Sequence, residues 1–193
     1  MNIAVIKYNA GNIRSVQIAL DRLGVSSVVT DDIHIIRSAE KVIFPGVGEA
    51  SSAMAYLKER KLDKLILSLK QPVLGICLGL QLMCSYTEEG NTSCLCIFEN
   101  RIAHFPEKDK VPHMGWNSIF NLKGPLFKDI KENSHVYFVH SYAAEPGESQ
   151  IAGTDYIIPF ASALQKDNFY ATQFHPEKSG DVGQHILKNF IEL

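Results

Sequence analysis

The 193-residue sequence predicts an α/β fold: an open, mainly parallel sheet with helices on both faces and appended antiparallel strands. Three observations carry that prediction. The first half alternates short apolar runs with helix-period segments, as crossover units of a parallel sheet do. The second half holds strand candidates at short spacing, several divided by Gly, Pro or Asn, as hairpins are. The composition, 46% apolar and 21% charged, is that of an ordinary globular chain, and the length is enough to bury about 70% of the unfolded surface.

The elements follow in order. Asn2 to Lys7 is a short apolar run that reads as a buried strand. Asn12 stands where a helix cap is expected, before apolar Val16, Ile18, Leu20 and Leu23, and Gly24 ends that helix. Val25 to Val29 and Lys41 to Phe44 are further strands, the latter stopped by Pro45. Ser51 to Arg60 is helical, and the pattern resumes from Lys61 through Leu69. Pro72 to Ile76 is another strand, followed by a helix from about Leu78. Strand candidates then run over Cys94 to Phe105, Trp116 to Asn121, Val136 to His140, Ile151 to Ile158, Ala161 to Gln165 and Phe169 to Phe174. An amphipathic helix, Asp181 to Ile191, closes the sequence. Nothing linker-like separates the halves, so one domain over residues 1–193 is expected.

Several function classes are disfavoured. Lys plus Arg number 19 and Asp plus Glu 21, a net charge of −2 that gives no reason to expect nucleic acid as a partner. No apolar run reaches the roughly 18 residues of a membrane span, and the first residues do not read as a signal peptide. Cys77, Cys84, Cys94 and Cys96 are too few for a disulfide framework and lack the CxxC spacing of zinc sites. A reducing cytoplasm, no metal and no cofactor are the expectation.

Chemistry concentrates at Cys77. An apolar strand runs into Gly75-Ile-Cys77-Leu-Gly79, the pattern of a nucleophile elbow with cysteine in place of serine. The flanking glycines permit the tight strand-to-helix turn that pushes the side chain out of the sheet. The N–H of Leu78, next in the chain, can donate to an oxyanion. Cys84, Cys94 and Cys96 have no such setting and read as core residues.

A thiol nucleophile needs a base. His175 directly follows the apolar strand Phe169 to Phe174, and chemistry in open α/β sheets gathers at the carboxyl ends of strands. Glu177 lies two residues on, with Pro176 stiffening the turn between them, and its carboxylate can fix the imidazole tautomer. Cys77, His175 and Glu177 are therefore the candidate nucleophile, base and orienter. His140 also ends an apolar strand but has no carboxylate within two residues, so it ranks second as a base or as a substrate contact. His34, His104, His135 and His185 have no chemical setting.

Pro45-Gly46-Val47-Gly48 follows the third strand, and a backbone N–H within Gly46 to Gly48 can supply the second oxyanion donor. It lacks the G-K-[ST] ending of a phosphate loop. Gln81, four residues after Cys77, falls on the same helix face and can hydrogen-bond a polar substrate. A lone tryptophan such as Trp116 is more often packing than recognition, and the sequence alone assigns it no role.

Together these motifs resemble the class I glutamine amidotransferases, whose flavodoxin-like glutaminase domain hydrolyses glutamine through a cysteine thioester. The segments around Tyr8 to Val16, Pro112 to Asn117, Tyr137 to Tyr142 and Gln173 to Ser179 are similar to the glutaminase subunits of imidazole glycerol phosphate synthases. Two departures stand out: Glu49 and Ala50 where a bulky aromatic is usual, and Lys7 and Asn9 around Tyr8. The resemblance implies that Cys77, His175 and Glu177 form the triad and that Gly48, Gln81, Ser141 and Tyr142 contact glutamine. It implies a heterodimer with a cyclase-type barrel subunit, which takes the ammonia to make imidazole glycerol phosphate and an aminoimidazole ribotide in histidine biosynthesis. A barrel needs about 250 residues, so the acceptor site is expected on a separate chain. Lys178 and Asn12 are candidate interface positions. Rival readings are a glutaminase serving pyridoxal phosphate synthesis, an inactive interaction module and a cysteine peptidase of similar architecture.

Overall fold

The computed structural model describes residues 2–8 and 11–193. In chain order the elements are β1 (Ile3–Ile6), α1 (Ile13–Arg22), β2 (Ser27–Thr30), α2 (Ile33–Ser38), β3 (Lys41–Phe44), α3 (Ala50–Glu59), α4 (Leu62–Ser68), β4 (Val73–Ile76), α5 (Leu78–Met83), β5 (Tyr86–Thr87) and β6 (Thr92–Ser93). There follow β7 (Arg101–His104), β8 (His113–Ile119), β9 (Ser134–His140), β10 (Tyr142–Ala144), β11 (Gln150–Tyr156), β12 (Ile158–Lys166), β13 (Phe169–Thr172) and α6 (Gly180–Glu192).

One sheet carries the order β2-β1-β3-β4-β13-β12-β10-β7-β5-β6, with β11 pairing on β12. The run from β2 to β13 is parallel; β12 then pairs antiparallel to β13 and to β10. The strands β8 and β9 form a separate antiparallel ribbon.

The central strands are buried on both faces, and side chains alternate across them with period two. Ala4, Ile6, Val42, Phe44 and Val73 pack on one face against α2 to α5. Ile3, Val5, Ile43, Leu74 and Ile76 pack on the other, with Val16 and Leu20 of α1, Phe138 of β9, and Ile186, Leu187 and Phe190 of α6. Helices thus cover both faces, as the continuous apolar runs of the sequence predict.

The placement of β13 decides where the chemistry falls. This late strand inserts beside β4 and runs parallel to it, with Thr172 opposite Ile76. The residues leaving the carboxyl ends of two strands far apart in sequence therefore emerge side by side.

The structure departs from the sequence expectations in several places. The short helix α2 was not foreseen; Asp32 caps it, accepting from the N–H groups of His34 and Ile35 at 2.7 and 3.2 Å. The expected strand Cys94 to Phe105 is a strand only over Arg101–His104. Its first part wraps the end of α5: the N–H groups of Leu95, Cys96 and Ile97 donate to Leu82, Cys84 and Met83 carbonyls, each at 2.9 Å. Those carbonyls have no partner within the helix, so the loop satisfies them. The same turn leaves Cys96 exposed and Cys94 half-buried, and of the three extra cysteines only Cys84 belongs to the core. Trp116, to which the sequence assigns no role, is 56% exposed.

Candidate active site

The strand β4 ends at Cys77, whose backbone sits at φ 52, ψ −104. A non-glycine residue pays about 1–3 kcal/mol for such a conformation, which persists only where the surroundings enforce it. Here the Cys77 N–H is tied to Thr172 O at 2.7 Å, and its carbonyl receives the Gln81 N–H at 3.2 Å. Gly79 makes the turn possible: a Cβ there would lie 1.9 Å from the Phe44 carbonyl oxygen, so no side chain fits. The sequence rule for the elbow thus has a specific steric cause.

His175 leaves β13 beside this elbow, 1% exposed. Its Nδ1 lies 2.8 Å from Glu177 Oε1, and both side chains are sealed from solvent at 1% and 0% exposure. Burial works against the imidazolium, but the Cys77 thiol and the Glu177 carboxylate outweigh it through hydrogen bonding and charge, and the His175 pKa is pushed up to about 10. Proximity to the thiol follows from the parallel pairing of β4 and β13. Sulfur, imidazole and carboxylate are thus brought together, with Nδ1 held by the carboxylate and the buried Nε2 making no hydrogen bond among the described residues.

Glu177 has a second partner. Asn12, at φ 67, stands at the start of α1 but makes no side-chain cap; its Nδ2 donates instead to Glu177 Oε1 at 2.5 Å. The expected capping side chain therefore serves the Glu177 carboxylate. Asn9 and Ala10, part of the same motif, lie outside the described residues.

An open cleft of about 140 Å³ sits over the sulfur, lined by Val47, Gly48, Cys77, Leu78, Gln81 and Glu89, with the Val139–Tyr142 segment as its far wall. Of the predicted substrate residues, Val47, Gly48, Leu78, Gln81, Ser141 and Tyr142 border this cleft; Gly46 does not line it. A larger depression of about 550 Å³, flanked by Asn100, Arg101, Glu145 and Gln165, is lined by none of the candidate catalytic residues. Glu89 was not foreseen. It lies 12 positions after the cysteine in a short turn, with no sequence pattern to mark it, and is the cleft's one lining carboxylate among the described residues. The Ala50 N–H holds its Oε2 at 2.8 Å, while burial raises its pKa.

The Gly46–Gly48 loop, expected to supply an oxyanion donor, is closed off. The Leu78 N–H, one expected oxyanion donor, is engaged by the Gly46 carbonyl at 3.2 Å. The neighbouring carbonyls are also held: Tyr8 Oη donates to Pro45 O at 2.5 Å and Gly11 N–H to Val47 O at 3.1 Å. Gly48, at φ 144, supplies the conformational latitude a rearrangement here needs.

His140 is not a free base. Its Nδ1 must donate to the Tyr142 carbonyl at 2.8 Å, so its Nε2 accepts from His113 Nδ1 at 3.0 Å. His113 Nε2 in turn faces the Asn117 amide nitrogen at 3.3 Å. Burial lowers the pKa of His113 to about 4 and of His140 to about 3, so both rings stay neutral.

The comparisons with known proteins agree with this architecture. Residues 5–193 match the sequence model of the family Glutamine amidotransferase class-I. The chain belongs to that family. It is 60% identical, over the full length of both chains, to a Bacteroides fragilis (strain YCH46) protein named imidazole glycerol phosphate synthase subunit HisH. A Haemophilus influenzae (strain Rd) protein of the same name is 47% identical over 100% of this chain and 98% of its own. Among solved structures, a putative GMP synthase subunit of Thermoplasma acidophilum superposes with a TM-score of 0.76 at 20% identity, covering 100% of this chain and 92% of that one. That likeness concerns the fold: the mainly parallel mixed sheet flanked by helices is that of this family.

Proposed function

We propose that this chain is the glutaminase subunit of an imidazole glycerol phosphate synthase, hydrolysing glutamine to glutamate and ammonia for histidine biosynthesis. The observation that carries the chemistry is the Cys77 elbow meeting an imidazole whose far nitrogen is locked by Glu177 at 2.8 Å. The full-length likeness to proteins named as subunits of that synthase carries the pathway. Residues 1–193 act as one glutaminase domain.

In this reading His175 Nε2 takes the Cys77 proton, and the thiolate attacks the side-chain amide carbon of glutamine. The imidazolium then protonates the departing nitrogen, which leaves as ammonia, and the acyl group stays on sulfur as a thioester. His175 next deprotonates a water; the hydroxide adds to the acyl carbon, the C–S bond breaks to release glutamate, and the imidazolium returns its proton to the Cys77 sulfur. Glu89 receives the α-ammonium of glutamine, because a carboxylate on the cleft wall complements the one positive group of that substrate.

The oxyanion hole has to be assembled for turnover. Rotating the Gly46–Val47 peptide removes the carbonyl from the Leu78 N–H and turns the Val47 N–H toward the same point, giving two donors. Docking of the partner drives this rotation. The partner is the cyclase-type barrel subunit, seated over the triad so that ammonia passes to the acceptor without escaping to water. The four free cysteines suit a reducing cytoplasm.

The test is glutamate formation from glutamine by the purified chain alone, and then with the acceptor ligand and the barrel subunit. The reading expects a low rate alone, strong stimulation in the complex, and no hydrolysis by Cys77→Ala with complex formation intact. Retained hydrolysis in Cys77→Ala removes the nucleophile; a rate indifferent to partner and ligand removes the assembly step.

A further inference from the structure

Behind the cleft lies a polar group that the triad does not include. Gln173 is fully buried at the end of β13, two residues before His175. Its Nε2 lies 3.6 Å from Cys77 Sγ, and its Oε1 lies 3.2 Å from Gln81 Nε2. Gln81 Nε2 is also 3.1 Å from the Tyr142 carbonyl oxygen.

These contacts fix which way each amide points. A backbone carbonyl only accepts, so the Gln81 group facing Tyr142 is its NH₂. The second hydrogen of that NH₂ meets Gln173, whose facing atom is therefore its carbonyl oxygen. The Gln173 NH₂ is left to face the sulfur. The Tyr142 carbonyl, which also takes the His140 Nδ1–H at 2.8 Å, has both acceptor positions filled. A directed chain of donors thus runs from Asn117 through His113 and His140 to Tyr142, and a second one from Gln81 through Gln173 to Cys77.

We propose that Gln173 is a further catalytic residue of the glutamine hydrolysis, donating an amide N–H to Cys77 Sγ and stabilising the thiolate without itself exchanging a proton. The proposal rests on Cys77 being the nucleophile. Among the described residues, Cys77 Sγ has one other polar neighbour besides the imidazole, the Val139 carbonyl at 3.9 Å, which can only accept and so favours the protonated thiol. Gln173 is the counterweight, as a hydrogen bond to the charged form favours ionisation. It differs from His175 in kind: the histidine moves the proton, whereas the amide is a fixed dipole that serves the sulfur in every step where it carries negative charge, including its departure from the thioester. Gln173 does not line the cleft and so has no direct hold on substrate.

The test reads the sulfur directly. The rate of Cys77 alkylation by iodoacetamide, followed by peptide mass spectrometry across pH, reports the thiolate population whether or not glutamine is the substrate. In Gln173→Leu the alkylation midpoint should rise by about one pH unit, the consequence of losing one hydrogen bond to a charged group. In Gln173→Glu, which keeps the acceptor toward Gln81 and sets a carboxylate oxygen against the sulfur, it should rise at least as far. Glutaminase kcat in the complex should fall about tenfold in Gln173→Leu while KM for glutamine moves less than about threefold. Thermal melting of both variants checks folding, and the size-matched Glu variant carries the test where the Leu variant melts early. A midpoint unmoved in the folded variants, or a loss confined to KM, overturns the proposal. Hydrolysis persisting in Cys77→Ala would instead sink the nucleophile assignment and leave the alkylation result standing.

Discussion

The neutral His113–His140 pair makes the fold sensitive to mild acid, by an amount that follows from its burial. Both rings are nearly inaccessible, 4% and 6% exposed. His113 is stacked between Tyr156 at 4.0 Å and Phe138 at 4.8 Å between ring centroids. In the unfolded chain each ring takes up a proton near pH 6.5; in the native state only near about 4 and 3. Between those limits the unfolded state binds more protons, so stability falls as pH falls from about 6.5. From pH 7 to pH 5 each ring costs roughly 2 kcal/mol, about 4 kcal/mol for the pair. His175 acts in the opposite sense, since its native pKa is raised to about 10. Its stabilisation is complete below the unfolded value and is lost as pH rises toward 10, so acidification to pH 5 recovers less than about 1 kcal/mol. The net loss is about 3 kcal/mol, a large share of the roughly 5–15 kcal/mol that holds a typical domain together. Urea unfolding at pH 7, 6 and 5, extrapolated to water, measures it. His113→Phe keeps the aromatic stack and removes one titrating ring, so its net loss from pH 7 to pH 5 should shrink to about 1 kcal/mol, roughly a third of the unsubstituted chain's. A stability flat between pH 7 and pH 5, or an undiminished slope in that variant, refutes the reasoning.

Three further predictions concern turnover. Tyr8→Phe deletes the hydroxyl that holds Pro45 O in the closed-off loop; one such bond is worth about 1 kcal/mol, so glutamine hydrolysis without the partner should rise about fivefold and stimulation by the partner should shrink to match. Glu89→Gln should raise KM for glutamine about tenfold or more with kcat little changed, read in a coupled glutamate assay, because it removes the cleft-wall charge proposed to receive the substrate ammonium. Glu177→Gln should lower kcat less than His175→Ala does, since Asn12 still tethers the side chain and the imidazole remains; equal or reversed losses in steady-state assays contradict those roles.

What the sequence made legible was whatever is written locally. Buried parallel strands leave continuous apolar runs, and β1, β3 and β4 stand close to where those runs place them. The elbow was legible because a strained cysteine between two glycines has few other uses. His175 and Glu177 sit two apart on one turn, so their contact needs no long-range folding. The helix α2 escaped because it has six residues and buries only Ile36, too short for a periodic signal. Glu89 and Gln173 escaped for a different reason: their partners, Ala50 and Cys77, lie 39 and 96 positions away, and only the packed sheet introduces them. Asn12 was legible as a helix start, but its side chain chose a carboxylate 165 positions away over the local N–H groups. An ionised acceptor makes the stronger bond, and tertiary contact overrides the local rule.

Whether the sulfur at the elbow is the atom that attacks glutamine decides everything built on it. The direct measurement is covalent capture: incubation with a glutamine-like electrophile, such as a chloroketone analogue, followed by mass mapping of the adduct. The account predicts modification at Cys77 alone, slowed by excess glutamine, greatly slowed in His175→Ala and faster once the partner is bound. Modification spread over Cys94 or Cys96, or labelling of Cys77 that glutamine does not slow, would contradict it.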